Sequence, residues 1–76
     1  MITLDNYQKL ERILPDVAQQ IDMKATGATI HRLKTYETEL HAAVWGIQYT
    51  TKQDHYLSLA NRAQKALEAF GIFIVF

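Results

Sequence analysis

Apolar residues recur along the first third of the chain at Tyr7, Leu10, Leu14, Val17 and Ile21, three and four positions apart in turn. That spacing lays one apolar stripe along a helix. Thr3 or Asp5 can cap its start, and Ile2 stands where a hydrophobic staple to Tyr7 places its first residue if Thr3 is the cap. Pro15 interrupts the pattern, because it deletes the bond to the Glu11 carbonyl. A kink or break is expected near Leu14. The stretch Lys24-Ala25-Thr26-Gly27 has no apolar period and holds the first glycine, so the helical region is expected to end there.

Residues 28–50 admit two patterns. Thr29, Ile30, Thr35, Tyr36, Thr38, Val44, Trp45, Ile47, Tyr49 and Thr50 are strand-favouring types. They predict a hairpin of Thr29–Thr35 and Thr38–Thr50, turning near Tyr36-Glu37. His41, Ala43, Trp45, Ile47 and Tyr49 would then share one face of the second strand. The other pattern takes Ile30, Leu33, Leu40, Val44 and Ile47 at heptad-like spacing on a helix, with Glu37 spoiling the stripe. Gly46 weakens both, and the turn lacks Asn-Gly or Asp-Gly.

The last third is simpler. Tyr56, Leu59, Ala60, Ala63, Ala66, Leu67 and Phe70 form a helical stripe over 52–70. Thr51 with Asp54 resembles a capping box. Gly71 stands where a left-handed residue ends a helix, and Ile72 where it would touch Leu67 in a Schellman motif. Ile72-Phe73-Ile74-Val75-Phe76 is an uninterrupted apolar run, which reads as a short buried strand. A strand needs partners for its backbone groups, and the hairpin reading of 28–50 supplies them.

The expected fold is therefore α+β in the order helix–strand–strand–helix–strand. It has a three-stranded sheet with two helices on one face. The alternative is an all-α three-helix domain with an extended apolar C-terminal tail.

Length bounds what such a fold can do. With 76 residues and no cysteine, the chain makes one domain over 1–76, and disulfides and thiolate metal sites are excluded. A domain of this size buries only roughly 60–65% of its unfolded surface. Stability must come from one well-packed core or from a partner, which raises the expectation of a homo-oligomer. Eight cations balance eight acids, so the chain is not a generic polyanion binder. No segment approaches the ~20 apolar residues of a transmembrane helix. The first 22 residues carry acids and no secretory core, so a cytoplasmic address without membrane attachment is expected.

Catalytic chemistry finds little footing. His31, His41 and His55 form no metal-ligand pair, and no cofactor motif exists; Gly27, Gly46 and Gly71 are isolated. His55 and Ser58 are three apart on a helix, but no strained elbow or oxyanion loop accompanies them. Glu37 and Glu39 lack an apolar pocket to separate their acidities. No metal, cofactor or catalytic residue is expected, and the protein reads as non-enzymatic.

Two surface features remain. Lys24, His31, Arg32 and Lys34 lie in a stretch without acids, whereas residues 1–23 carry two cations against four acids. On a strand, Arg32 and Lys34 point the same way and could meet phosphates or an acidic partner. An edge strand also uses lysine simply to prevent pairing. Tyr36, Trp45, Tyr49, Phe73 and Phe76 form an aromatic surplus in and beside the expected sheet. One small layer cannot bury both faces of its strands, and exposed aromatics are what interfaces use as anchors. The function expected is binding to another protein, as inhibitor or regulator. By analogy of size alone this resembles the compact regulators of phages and mobile elements. The alternative is a small nucleic-acid-binding regulator using the Lys24–Lys34 strip.

Overall fold

The computed structural model describes residues 1–76. It contains three helices and no strand: α1 (Tyr7–Lys24), α2 (Ala28–Tyr49) and α3 (Gln53–Ala69). Together they take up 75% of the chain. The expected sheet is absent, and the all-α alternative describes the molecule.

The hairpin expected over 28–50 is a single helix of 22 residues. Position outweighed residue type. Leu33, Leu40, Ala43, Val44 and Ile47 are buried in α2, the 3.6-residue period of one face. Three of the four threonines that argued for strands, Thr35, Thr38 and Thr50, fit a helix because their hydroxyls turn back on it. Thr35 Oγ1 donates to the His31 carbonyl and Thr38 Oγ1 to that of Lys34, both at 3.0 Å. Glu37 does not spoil the stripe. It is half-buried, and its carboxylate lies 3.9 Å from His41 Nε2, one turn on.

Gly46 also finds its reason in the helical reading. It is buried in α2, and a Cβ at this position would run into Cγ and both Cδ atoms of the Tyr56 ring. The glycine lets the start of α3 lie directly on the end of α2. Thr50 closes α2: its N–H and its hydroxyl both donate to the Gly46 carbonyl, at 3.1 and 2.6 Å.

α1 buries Leu10, Leu14, Val17 and Ile21, four of the five stripe residues, with Tyr7 half-buried. The break expected at Pro15 does not occur; the helix runs through it. Pro15 and Glu11 are both exposed, so water can reach the carbonyl that lost its donor. The expected caps also differ. Asn6 rather than Thr3 or Asp5 precedes α1, and its side chain folds backwards, accepting from Thr3 N–H and donating to the Met1 carbonyl. Lys52 precedes α3, so Thr51 and Asp54 form no capping box.

The end of α3 follows the sequence. Gly71 has φ of +80°, its N–H donates to the Glu68 carbonyl, and Ile72 N–H donates to that of Leu67. Leu67 and Ile72 are both fully buried, which completes a Schellman motif with its apolar contact.

Ile72–Phe76 is extended as expected but pairs with no strand. It lies against α1 instead. Lys24 Nζ donates to the Gly71 carbonyl at 2.7 Å, and Gln20 Nε2 to that of Phe73 at 3.4 Å. Side chains of neighbouring tail residues point opposite ways: Ile72 and Ile74 are in the core, Phe73 and Val75 are exposed.

α2 packs on both other helices, while α1 and α3 have no Cα atoms within 8 Å of each other. The two chain ends occupy the side left open. Ile2 is buried, and its backbone is clasped by the Asn61 side-chain amide on α3. Asn61 Oδ1 accepts from Ile2 N–H, and Nδ2 donates to the Ile2 carbonyl, both at 2.8 Å. Ile2, Ile72 and Ile74 join one core cluster with the stripes of all three helices.

Candidate protein-binding surface

α2 turns one face to the core and the opposite face to solvent. On the solvent side, near its carboxyl end, Trp45 and Tyr49 stand one turn apart. Their ring centroids are 5.7 Å apart with planes tilted by 45°. Trp45 is 58% exposed and Tyr49 66%. One turn of helix sets their spacing, so the two rings stand side by side on the same face. Beside them a groove of about 350 Å³ runs along the seam with α1, floored by Leu14 and Val44 and edged by Glu11, His41 and Gln48.

A second apolar patch lies across α1. Phe73 and Val75 of the tail face Ile13 and Met23, and the groove between them holds about 440 Å³. Asp16, Gln19 and Gln20 supply its polar wall. The two grooves share no residue.

The five aromatic residues singled out in the sequence thus do not form one surface. Trp45 and Tyr49 come together on α2. Phe73 belongs to the second patch, and Phe76 is 43% exposed at the end of the tail. Tyr36 is half-buried against the core, at the α2–α3 seam beside Glu39, Arg62 and Ala66. The sheet face that was to carry all five does not exist. Met23, 78% exposed, was missed; its signal was its place off the α1 stripe, where a large apolar residue has no core to enter.

The basic strip is broken up by the helical geometry. Arg32 and Lys34 are two residues apart, which on a helix turns them roughly 160° from each other instead of the same way. Lys34 Nζ lies 3.7 Å from Asp22 Oδ1, and Lys24 is held by the tail. His31 and Arg32 are exposed on the first turns of α2.

His55 and Ser58 are both exposed on α3. His55 meets the Tyr56 ring edge-on, with centroids 5.1 Å apart, and makes no hydrogen bond to Ser58. No three His, Cys, Asp or Glu side chains are grouped to hold a metal ion. No helix is long and apolar enough to cross a membrane. No protein-family model matches the chain, and no curated protein and no solved structure matches it.

Proposed function

We propose that this is a cytoplasmic, non-enzymatic protein-binding module that acts as an inhibitor or regulator of a larger protein. The observation that carries the reading is the amount of large apolar surface left outside the core. Trp45 and Tyr49 are exposed on one side of α1, and Met23, Phe73 and Val75 on the other. Packing does not require this. The core closes on its own residues, and no buried side-chain nitrogen or oxygen lacks a partner. Clustered exposed aromatics are the usual anchors of protein interfaces.

The test is retention from native lysate on immobilised wild type, Trp45→Ala and Phe73→Ser/Val75→Ser. All substituted positions are more than half exposed, so helical circular dichroism should be unchanged. The reading expects a protein that wild type retains and that one of these variants loses. If no retained protein depends on either patch, or if the protein binds DNA or RNA with a steep fall in affinity as salt rises, the reading is wrong.

A further inference from the structure

The outer face of α2 has an internal symmetry. His31, Thr35, Thr38, Ala42, Trp45 and Tyr49 are spaced four, three, four, three and four residues apart, and all six are exposed. This is the alternation of a coiled-coil seam, repeated on the side of the helix away from the core. The row spans about 27 Å at ~1.5 Å per residue.

The row is also its own complement when reversed. Turned end for end about position 40, Tyr49 falls opposite His31, Trp45 opposite Thr35, and Ala42 opposite Thr38. The largest side chains then meet smaller ones, and the small pair Thr38 and Ala42 occupies the crossing, where two helices must approach most closely. Charge follows the same reversal. Arg32 and Lys34 flank the amino-terminal end of the row, and the aromatic faces lie at the carboxyl-terminal end. An antiparallel pair brings Lys34, the nearer of the two cations to the row, toward the rings of the other copy and opposes the helix dipoles. A parallel pair would bring cations against cations. The ion pair of Lys34 with Asp22 does not prevent this. Both side chains are more than half exposed, and such pairs contribute little.

The two threonine hydroxyls in the middle of the row do not resist burial, and the polar ends of His31, Trp45 and Tyr49 lie toward its ends, where water can still reach them. The hydroxyls of Thr35 and Thr38 are already bonded to carbonyls of their own helix, at 3.0 Å. Covering them strands no donor, which removes the usual cost of burying a hydroxyl.

We infer that a second copy of this chain occupies this face, with the two α2 helices antiparallel about position 40. The inference rests on reading the exposed apolar surface as protein-binding, and it names the occupant of one of the two patches. The Phe73 patch stays free for a larger partner. One helix face about 10 Å wide is small beside the roughly 800 Å² that each partner gives to a standard interface. The pair should therefore dissociate at micromolar concentrations.

Sedimentation across the micromolar to millimolar range tests the inference on the full chain. Trp45 is the single tryptophan, so its fluorescence reports the same event. The expected result is a mass that doubles with concentration while Trp45 emission moves to the blue. Ala42→Glu, an exposed helical position given a good helix former, should keep the helical circular dichroism and remain monomeric. An equal mixture of Thr38→Cys and Ala42→Cys chains should oxidise mainly to the mixed disulfide. A monomer throughout the range overturns the inference, as does a dimer indifferent to Ala42→Glu. An excess of like-with-like disulfides overturns the antiparallel arrangement. A strict monomer that still retains a target through Phe73 and Val75 removes the second copy and leaves the protein-binding reading standing.

Discussion

Gly46→Ala offers the most direct check on the α2–α3 packing. In an exposed helix interior this substitution stabilises, because glycine is about 0.8–1 kcal/mol worse than alanine there. At Gly46 the sign should reverse. The added Cβ would fall on Cγ, Cδ1 and Cδ2 of Tyr56. Rotating the ring about its own axis gives no relief, since Cγ lies on that axis. Either Tyr56 leaves its rotamer or α3 moves away from α2. Overpacking of this kind costs about 1–3 kcal/mol, and driving an aromatic ring from its half-buried site adds part of the roughly 1.5–3 kcal/mol that burying such a side chain contributes. After the helix-propensity gain, a net loss of about 1–3 kcal/mol remains.

Thermal and urea unfolding followed by far-ultraviolet circular dichroism would measure it. At ~4–8 °C per kcal/mol for a domain of this length, the midpoint should fall by at least about 4 °C. The cause is isolated by repeating the substitution in a Tyr56→Ala background, where the obstruction is gone. There Gly46→Ala should stabilise by about 1 kcal/mol, a change of sign in the double-mutant cycle. A Gly46→Ala protein as stable as wild type, or the same loss in both backgrounds, would refute the packing argument.

Other substitutions probe the ends of the chain and the surface. Asn61→Ala strips partners from the Ile2 N–H and carbonyl; it should cost about 1–3 kcal/mol and speed amide exchange at Ile2. Ile72→Ala, at a fully buried position, should cost about 2–5 kcal/mol in urea unfolding, which an unpacked tail would not show. Gly71→Ala forces a side chain into a left-handed φ of +80° and should lower stability by roughly 1–2 kcal/mol. Trp45→Ala should change stability by less than about 0.5 kcal/mol, since the ring is more than half exposed and outside the core cluster.

How much of this was legible depended on whether periodicity or residue type was followed. The stripes of α1 and α3 are where spacing placed them, except that Phe70, counted in the α3 stripe, lies past the helix end and is 42% exposed, and Gly71 ends α3 with the two hydrogen bonds that its position implied. Gln64 shows the opposite error. It completes the Ala60, Ala63, Leu67 stripe by spacing and is 6% exposed, yet its polar type kept it out of the expected core. The same preference for type produced the hairpin over 28–50. β-propensity mostly reports how a side chain packs on a half-buried surface, and tertiary context overrides it. Nothing in a composition count shows that Thr35 and Thr38 will satisfy their hydroxyls on their own helix. The tail argument failed for a different reason. It assumed that an extended apolar segment must find strand partners, but a segment at the surface can bond to lysine and glutamine side chains and to water. The aromatic surplus was legible as a set of residues. Its division into two patches was not, because that follows from helical geometry that the hairpin reading had excluded.

The open side between α1 and α3 explains why so small a domain can leave aromatics outside. Three helices in mutual contact would bury each stripe against two neighbours. Here the backbones of α1 and α3 stay apart, with no Cα atoms within 8 Å of each other, and Ile2, Ile72 and Ile74 join the core with their stripes. These three side chains come from extended segments, which present alternate residues to opposite sides. The tail therefore anchors itself through Ile72 and Ile74 and, by the same geometry, holds Phe73 and Val75 outward. α2 does the equivalent with a helical period, burying Leu40, Val44 and Ile47 while presenting Ala42, Trp45 and Tyr49. In both elements the residues that hold the fold and those that face solvent interleave without sharing positions. Substitutions on the outer faces should then change association and leave the unfolding midpoint nearly fixed, whereas substitutions on the inner faces should lower the midpoint. If Trp45→Ala and Phe73→Ser lowered stability as much as Ile72→Ala does, the outer faces would be part of the core and this separation would be false.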